Sequence, residues 1–189
     1  TLPTGIDKDG KDRTAVCCLS SLNVEKYDEW KDDENFISDV MRFLDNVLTD
    51  FIEKAPESFS DATYAAFRER SVGLGVMGLH SYFQKNMIPF ESVMSKVWNK
   101  KIFASIQKQV DKASQDLAEE RGPCPDAADY GIKERFSNKT AIAPTASISI
   151  ICGGTSPGIE PIAANSYTHK TLSGSFNVRN KYLQKILEK

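Results

Sequence analysis

Three stretches of this sequence combine residue types that could do chemistry. The first is the vicinal pair Cys17-Cys18 in "TAVCCLSSLN". A thiol can be a nucleophile, a metal ligand or half of a redox couple. Only Cys124 and Cys152 accompany the pair, with no C-x-x-C spacing and no histidine nearby, which argues against zinc and against a structural disulfide framework. Neighbouring side chains on a strand point to opposite faces, so at most one of the two thiols can face a given cavity. Without further information both read as small hydrophobes of a core.

The second stretch, "GLGVMG" at Gly73 to Gly78, matches G-x-G-x-x-G letter for letter. A dinucleotide site needs a buried strand before this motif and an acidic residue about 20 positions after it. Here Arg68, Glu69 and Arg70 precede it, and Glu91, near the required distance, stands at the start of a helix. The plainer reading is that the glycines let a short strand turn into the helix "VMGLHSYFQKN" at close packing distance. His80 on that helix has no second histidine or carboxylate four residues on and reads as a packing or surface residue.

The third stretch is "TAIAPTASISIICGGTSPGIEP", from Thr140 to Pro161. It opens like a buried strand and then fills with hydroxyls at Thr145, Ser147, Ser149, Thr155 and Ser156. Pro144 ends the apolar run, and Thr145, Ala146, Ser147 and Ser149 begin a predicted helix whose free N–H groups point outward. Such an end suits a phosphate without any lysine. Serine and threonine cap ordinary helices in the same way.

The elements that must position these residues follow from composition and periodicity. A chain of 189 residues that is 40% hydrophobic suffices for one domain with a sizeable core. Its 24 basic and 26 acidic residues are interspersed and leave a net charge of −2, so it offers no polyphosphate-binding face and nucleic acid is not an expected partner. No apolar run approaches a membrane span, and "TLPTGIDKDGKDR" has no signal-peptide core, so a soluble cytoplasmic protein with no membrane partner is expected.

"TAVCCLSSLNV" reads as a strand. From Phe36 to Ile52, residues Phe36, Ile37, Val40, Met41, Leu44, Val47, Leu48, Phe51 and Ile52 fall at helical spacing. A second helix is predicted from about Ser92 to Arg121, with Val97, Ile102, Ile106, Val110, Ala113 and Leu117 as its stripe and Gly122 as a left-handed C-cap. This order predicts α/β architecture with parallel strands. "NKYLQKILEK" begins an amphipathic helix.

Taken in order, "AVCCLSSLN", "RSVGLGVMGL", "GPCP", "TAIAPTASISII" and "SPGIEPIAANSYTHKTLSG" resemble the catalytic large subunit of ribonucleotide reductase, in its class I and class II branches. The resemblance runs over essentially the whole chain. It implies a ten-stranded α/β barrel built from two half-barrels around a finger loop, of which residues 1–189 are a single partial domain, about half a barrel. The radical-bearing cysteine of that family lies in an N-x-C-x-E motif shortly before a stretch like "TLPT". That motif, the regulatory N-terminal region, the first half-barrel and the C-terminal tail with its shuttle cysteines are therefore expected to lie outside this sequence. Alone, half a barrel would be inactive and prone to aggregate, because strand edges and apolar helix faces stay uncovered.

The resemblance assigns Cys17 as one of two thiols that reduce the ribose and become a disulfide; the pattern is a cysteine followed six residues later by asparagine, here Asn23. Cys18 stands where relatives commonly carry threonine or asparagine. Pro144, Thr145, Ala146, Ser147 and Ile148 match the loop that holds the substrate's phosphates through backbone amides and a hydroxyl, and "GIEP" at Gly158 to Pro161 reads as a turn shaping the cavity wall.

The reaction implied is radical reduction of a ribonucleotide at C2′, for deoxyribonucleotide synthesis and DNA replication. This chain would bind no cofactor itself. The radical would come from a metal-containing small subunit in class I or from adenosylcobalamin in class II, and thioredoxin or glutaredoxin would restore the thiols. Two other readings stay open: a noncatalytic phosphate-binding α/β module, and a nicotinamide-dependent dehydrogenase built on Gly73 to Gly78.

Overall fold

The structure, a computed structural model, describes residues 2–171 and 174–188. The chain begins with an antiparallel hairpin of β1 (Leu2–Ile6) and β2 (Asp12–Ala15). Asp7 closes its turn by accepting from the amides of Asp9 and Lys11 at 2.9 and 3.1 Å. After Val16, Cys17 and Cys18 come β3 (Leu19–Asn23), a 3-10 turn and the short α1 (Tyr27–Trp30). The helices α2 (Phe36–Lys54) and α3 (Ser60–Glu69) lead into β4 (Gly73–Met77) and α4 (Leu79–Lys85). The long α5 (Val93–Arg121) and the single turn α6 (Pro125–Ala128) follow. A single turn α7 (Ile148–Ile151), an antiparallel pair β5 (Ser166–Thr171) and β6 (Gly174–Arg179), and α8 (Lys181–Leu187) complete the chain.

The strand predicted over "TAVCCLSSLNV" divides in two, because β2 pairs with β1 while β3 pairs with β4. The parallel pairing runs from Leu19↔Gly73 to Asn23↔Met77. On the other edge of β4 the segment 138–141 runs alongside. Val72 and Leu74 donate to Asn138 and Lys139 carbonyls at 2.9 and 3.0 Å, with a parallel bridge Leu74↔Thr140. β4 is thus bonded on both edges, and all five of its residues are buried. The expected parallel α/β centre is present, and the described strands do not close into a barrel. The two antiparallel hairpins were not anticipated.

The glycines of β4 have a geometric cause. The chain at Ala141 and Ile142 crosses directly over the face that Gly73 and Gly75 present. A Cβ on Gly75 would collide with the Ala141 carbonyl, and one on Gly73 with the Leu19 and Ala141 side chains. Gly75→Ala is therefore expected to cost about 1–3 kcal/mol, or more if the crossing chain cannot shift. Urea denaturation of the polypeptide containing this chain checks it, and a cost under 0.5 kcal/mol would mean the crossing chain gives way easily.

The core packs α2 (Ile37, Met41, Leu44, Leu48) and α5 (Ile102, Ile106, Val110, Ala113, Leu117) together with Leu22, Leu74, Val76, Tyr82 and Phe136. Both helices keep the predicted periodicity except at one residue each, and on α2 the exception is Val47, which is exposed. Val97 does not belong to the stripe: it is 51% exposed, as are its neighbours Val93 and Met94 in the first turns of α5. Gly122 does stop the helix, but with φ 86° and ψ 152°, an extended positive-φ conformation and not the left-handed cap expected.

One buried carboxylate joins four parts of the fold. Asp45 of α2 is fully buried and receives three guanidinium groups. Arg70 Nε donates to it at 2.8 Å, Arg121 Nη1 at 2.8 Å, and Arg135 through Nε and Nη2 at 2.9 and 3.2 Å. These arginines come from the turn before β4, the end of α5 and the loop after α6.

Candidate functional site

The hydroxyl-rich stretch leaves the sheet after Ala141 and is held by a left-handed residue. Thr145 is buried at φ 52°, a conformation costly for a β-branched side chain. Its Oγ1 accepts from the Gly158 amide at 2.8 Å, and its carbonyl accepts from Ser149 at 3.0 Å. Ser149 is buried and donates through Oγ to the Ala146 carbonyl at 3.3 Å. The next three residues, Ala146, Ser147 and Ile148, are exposed, and their amides have no acceptor among the described residues. The predicted helix from Thr145 is in fact the single turn α7, which starts at Ile148, because Thr145 has left the helical region. Ser147 sits at its N-cap, and its side chain makes no capping bond, so the hydroxyl is free for another acceptor.

The segment 155–162 braces this loop from behind. Ser156 and Ser81 bond reciprocally: Ser81 N donates to Ser156 Oγ at 3.1 Å, and Ser156 N donates to Ser81 Oγ at 2.8 Å. Gly78 N donates to the Ser156 carbonyl at 2.7 Å. Thr155 Oγ1 reaches Asn23 Oδ1 at 3.4 Å, and Ile162 N donates to His80 Nδ1 at 3.0 Å. His80 is thus half-buried and accepts a backbone amide, and burial lowers its pKa below 6.5.

These contacts also decide the role of "GLGVMG". The Gly78 and Ser81 amides at the start of α4, where a dinucleotide's phosphates would bind, are already taken by Ser156, and a Cβ at Gly78 would lie 2.6–2.9 Å from Thr155, Asn23 and Glu25 atoms. The glycines serve packing, and the nicotinamide reading fails on lack of space.

Cys17 and Cys18 separate as the alternation rule requires, although the three residues 16–18 lie between strands. Cys18 is buried, its Sγ 3.9 Å from the Leu44 carbonyl, and burial, with Cys17 adding to it, pushes its thiol pKa up. Cys17 is exposed, so the reading of both as core residues holds for Cys18 alone. All four cysteines are free thiols. Cys17 precedes β3 on one side of β4, and the amide loop continues from segment 138–141 on the other side, with no hydrogen bond joining them among the described residues.

The family "Ribonucleotide reductase, barrel domain" matches residues 6–134 and 126–189. The chain belongs to the ribonucleotide reductase barrel family. It is 52% identical over 175 residues to the ribonucleoside-diphosphate reductase large subunit of Invertebrate iridescent virus 6, covering 93% of this chain and 18% of that protein. It is 38% identical over 170 residues to the vitamin B12-dependent ribonucleoside-diphosphate reductase of Thermoplasma acidophilum, covering 84% of this chain and 21% of that one. Among solved structures, the Actinobacillus ureae class Id ribonucleotide reductase alpha subunit superposes with a TM-score of 0.82 at 39% identity, over 94% of this chain and 32% of that chain. The chain therefore spans about a third or less of the length of these relatives.

As a part of a ribonucleotide reductase barrel, the chain supplies a parallel pair, its crossing segment and two hairpins. No helix among the described residues is long and apolar enough to cross a membrane. No three His, Cys, Asp or Glu side chains among the described residues gather as metal ligands.

Sequence reasoning missed two anchors. Ser81 carried no signal in its spacing. Glu25, buried beside the loop's brace, accepts from Lys181 Nζ and Tyr182 Oη, each at 2.6 Å, and ties α8 to the β3 corner.

Proposed function

We propose that this chain is the part of a ribonucleoside-diphosphate reductase large subunit that holds the substrate's phosphates and supplies one of its two reducing thiols. The observation that carries this reading is the set of three exposed amides at Ala146, Ser147 and Ile148, beside the free Ser147 hydroxyl. Donors fixed in this way bind an anionic oxygen without reorganising. Pro144 and Thr145 shape the turn that presents them.

Cys17 is the accessible member of the vicinal pair and acts as a reductant with a second thiol from outside this chain. The two thiols give up two electrons and two protons and form one disulfide. The 2′ hydroxyl leaves as water, and C2′ gains hydrogen. The radical that starts the reaction comes from outside the chain, through a metal-containing small subunit or adenosylcobalamin, and no step here passes through either. Thioredoxin or glutaredoxin then reduces the disulfide, in the cytoplasm.

Two substitutions in the full-length subunit test the loop. Ala146→Pro removes an amide donor and places proline after a left-handed residue, which proline disfavours. KM for the ribonucleotide is expected to rise about tenfold or more. Ser147→Ala loses the hydroxyl alone and is expected to weaken binding by about 1 kcal/mol. An unchanged KM in both variants removes this loop from the substrate site.

A further inference from the structure

The brace behind the amide loop is fixed on both sides of its turn, and the anchor on the far side depends on a titratable side chain. Ser156 holds one end of the segment through Ser81 and Gly78. Ile162 holds the other end through His80 Nδ1 at 3.0 Å. Between them lies Gly158, whose amide donates to the Oγ1 of Thr145. With both ends tied, Gly158 is pinned against Thr145, and Thr145 keeps the left-handed backbone that turns the next three amides outward. With the His80 end released, the far side of the turn loses its anchor, and only the bonds of Thr155 and Ser156 on the near side remain. A strained residue persists only while its surroundings over-determine it.

We propose that His80 is a positioning residue for the substrate's phosphates, holding the brace in place only while its imidazole is neutral. This inference rests on the reading of residues 144–148 as the phosphate loop. An imidazole nitrogen can accept the Ile162 amide only without its own proton; the imidazolium would set N–H against N–H.

The surroundings of the ring favour the neutral form. Phe90 packs edge-on with ring centroids 5.5 Å apart, and burial moves the pKa downward. The anchor is therefore complete at neutral pH and is lost as pH falls through the folded value, which lies below 6.5.

The test uses the full-length subunit, with ribonucleoside diphosphate as substrate and dithiothreitol as reductant. Hydrogen exchange of residues 155–165 is read alongside. His80→Ala is expected to raise KM about fivefold, with a smaller change in kcat, and to speed exchange across the brace. His80→Asn, whose Oδ1 can stand near the position of Nδ1 and cannot be protonated, restores both.

Between pH 7.5 and 5.5 the wild-type KM rises while that of the asparagine variant stays flat. Should the alanine variant fail to fold, this comparison decides alone. Fast exchange with an unchanged KM, or unchanged exchange, overturns the proposal while Ala146→Pro still raises KM. If Ala146→Pro leaves KM unchanged as well, the phosphate-loop reading itself has failed.

Discussion

Replacing Cys17 by serine in the full-length subunit is expected to abolish formation of deoxyribonucleotide, by at least about a thousandfold under dithiothreitol-supported turnover. The variant removes one of two reducing equivalents and leaves radical initiation intact, so substrate decomposition is expected in place of product. Cys18→Ser keeps turnover and loses only packing, since Cys18 is buried against α2 at the Leu44 carbonyl. Product formation and thiol labelling before and after substrate measure both. Near-normal turnover in Cys17→Ser with loss in Cys18→Ser would move the redox role to the buried thiol, and full activity in both would end it.

The largest stability effect is expected at Asp45. Asp45→Asn leaves three guanidinium groups around a site with no compensating charge, a loss of about 3–5 kcal/mol. By contrast, Arg42→Ala breaks a pair with Glu120 that is well exposed, and is expected to cost less than about 1 kcal/mol. Denaturant unfolding of the two variants, side by side, checks the ranking; equal costs would show that the Asp45 cluster adds little.

Acid should act through the same group. Burial opposes ionisation of Asp45, yet Arg135, Arg70 and Arg121 together outweigh it and hold the carboxyl below its ordinary value of 3.8. The folded pKa is thus depressed. Its contribution is complete above about pH 4 and is lost as pH falls through the folded value, where the native state must take up a proton it resists. In the asparagine variant that part of the acid dependence should be missing.

Local chemistry and ordered motifs were enough to place much of this chain. The 3.6-residue periodicity located α2 and α5, since a helix buries one face whatever its neighbours are. Alternation along extended chain separated Cys17 from Cys18, because successive side chains point oppositely regardless of partner. The five motifs in order pointed to the ribonucleotide reductase family, and the glycines of "GLGVMG" read as packing devices because their flanks lacked what a dinucleotide site needs.

What the sequence left open depends on long-range pairing. The break between β2 and β3 follows from β3 choosing β4, more than 50 residues away, over β2. Asp45 looked like any polar residue of an amphipathic helix until arginines from three other parts of the chain met it. Thr145 could not be seen to leave the helical region, because the contact that holds it comes from Gly158 across a turn. His80, with no partner in its own helix, gained one only when the brace folded back and set the Ile162 amide on its ring. Spacing along a chain reports on neighbours within a helix or strand, whereas a buried charge, a strained turn or a backbone anchor is decided by groups that only the folded chain brings together.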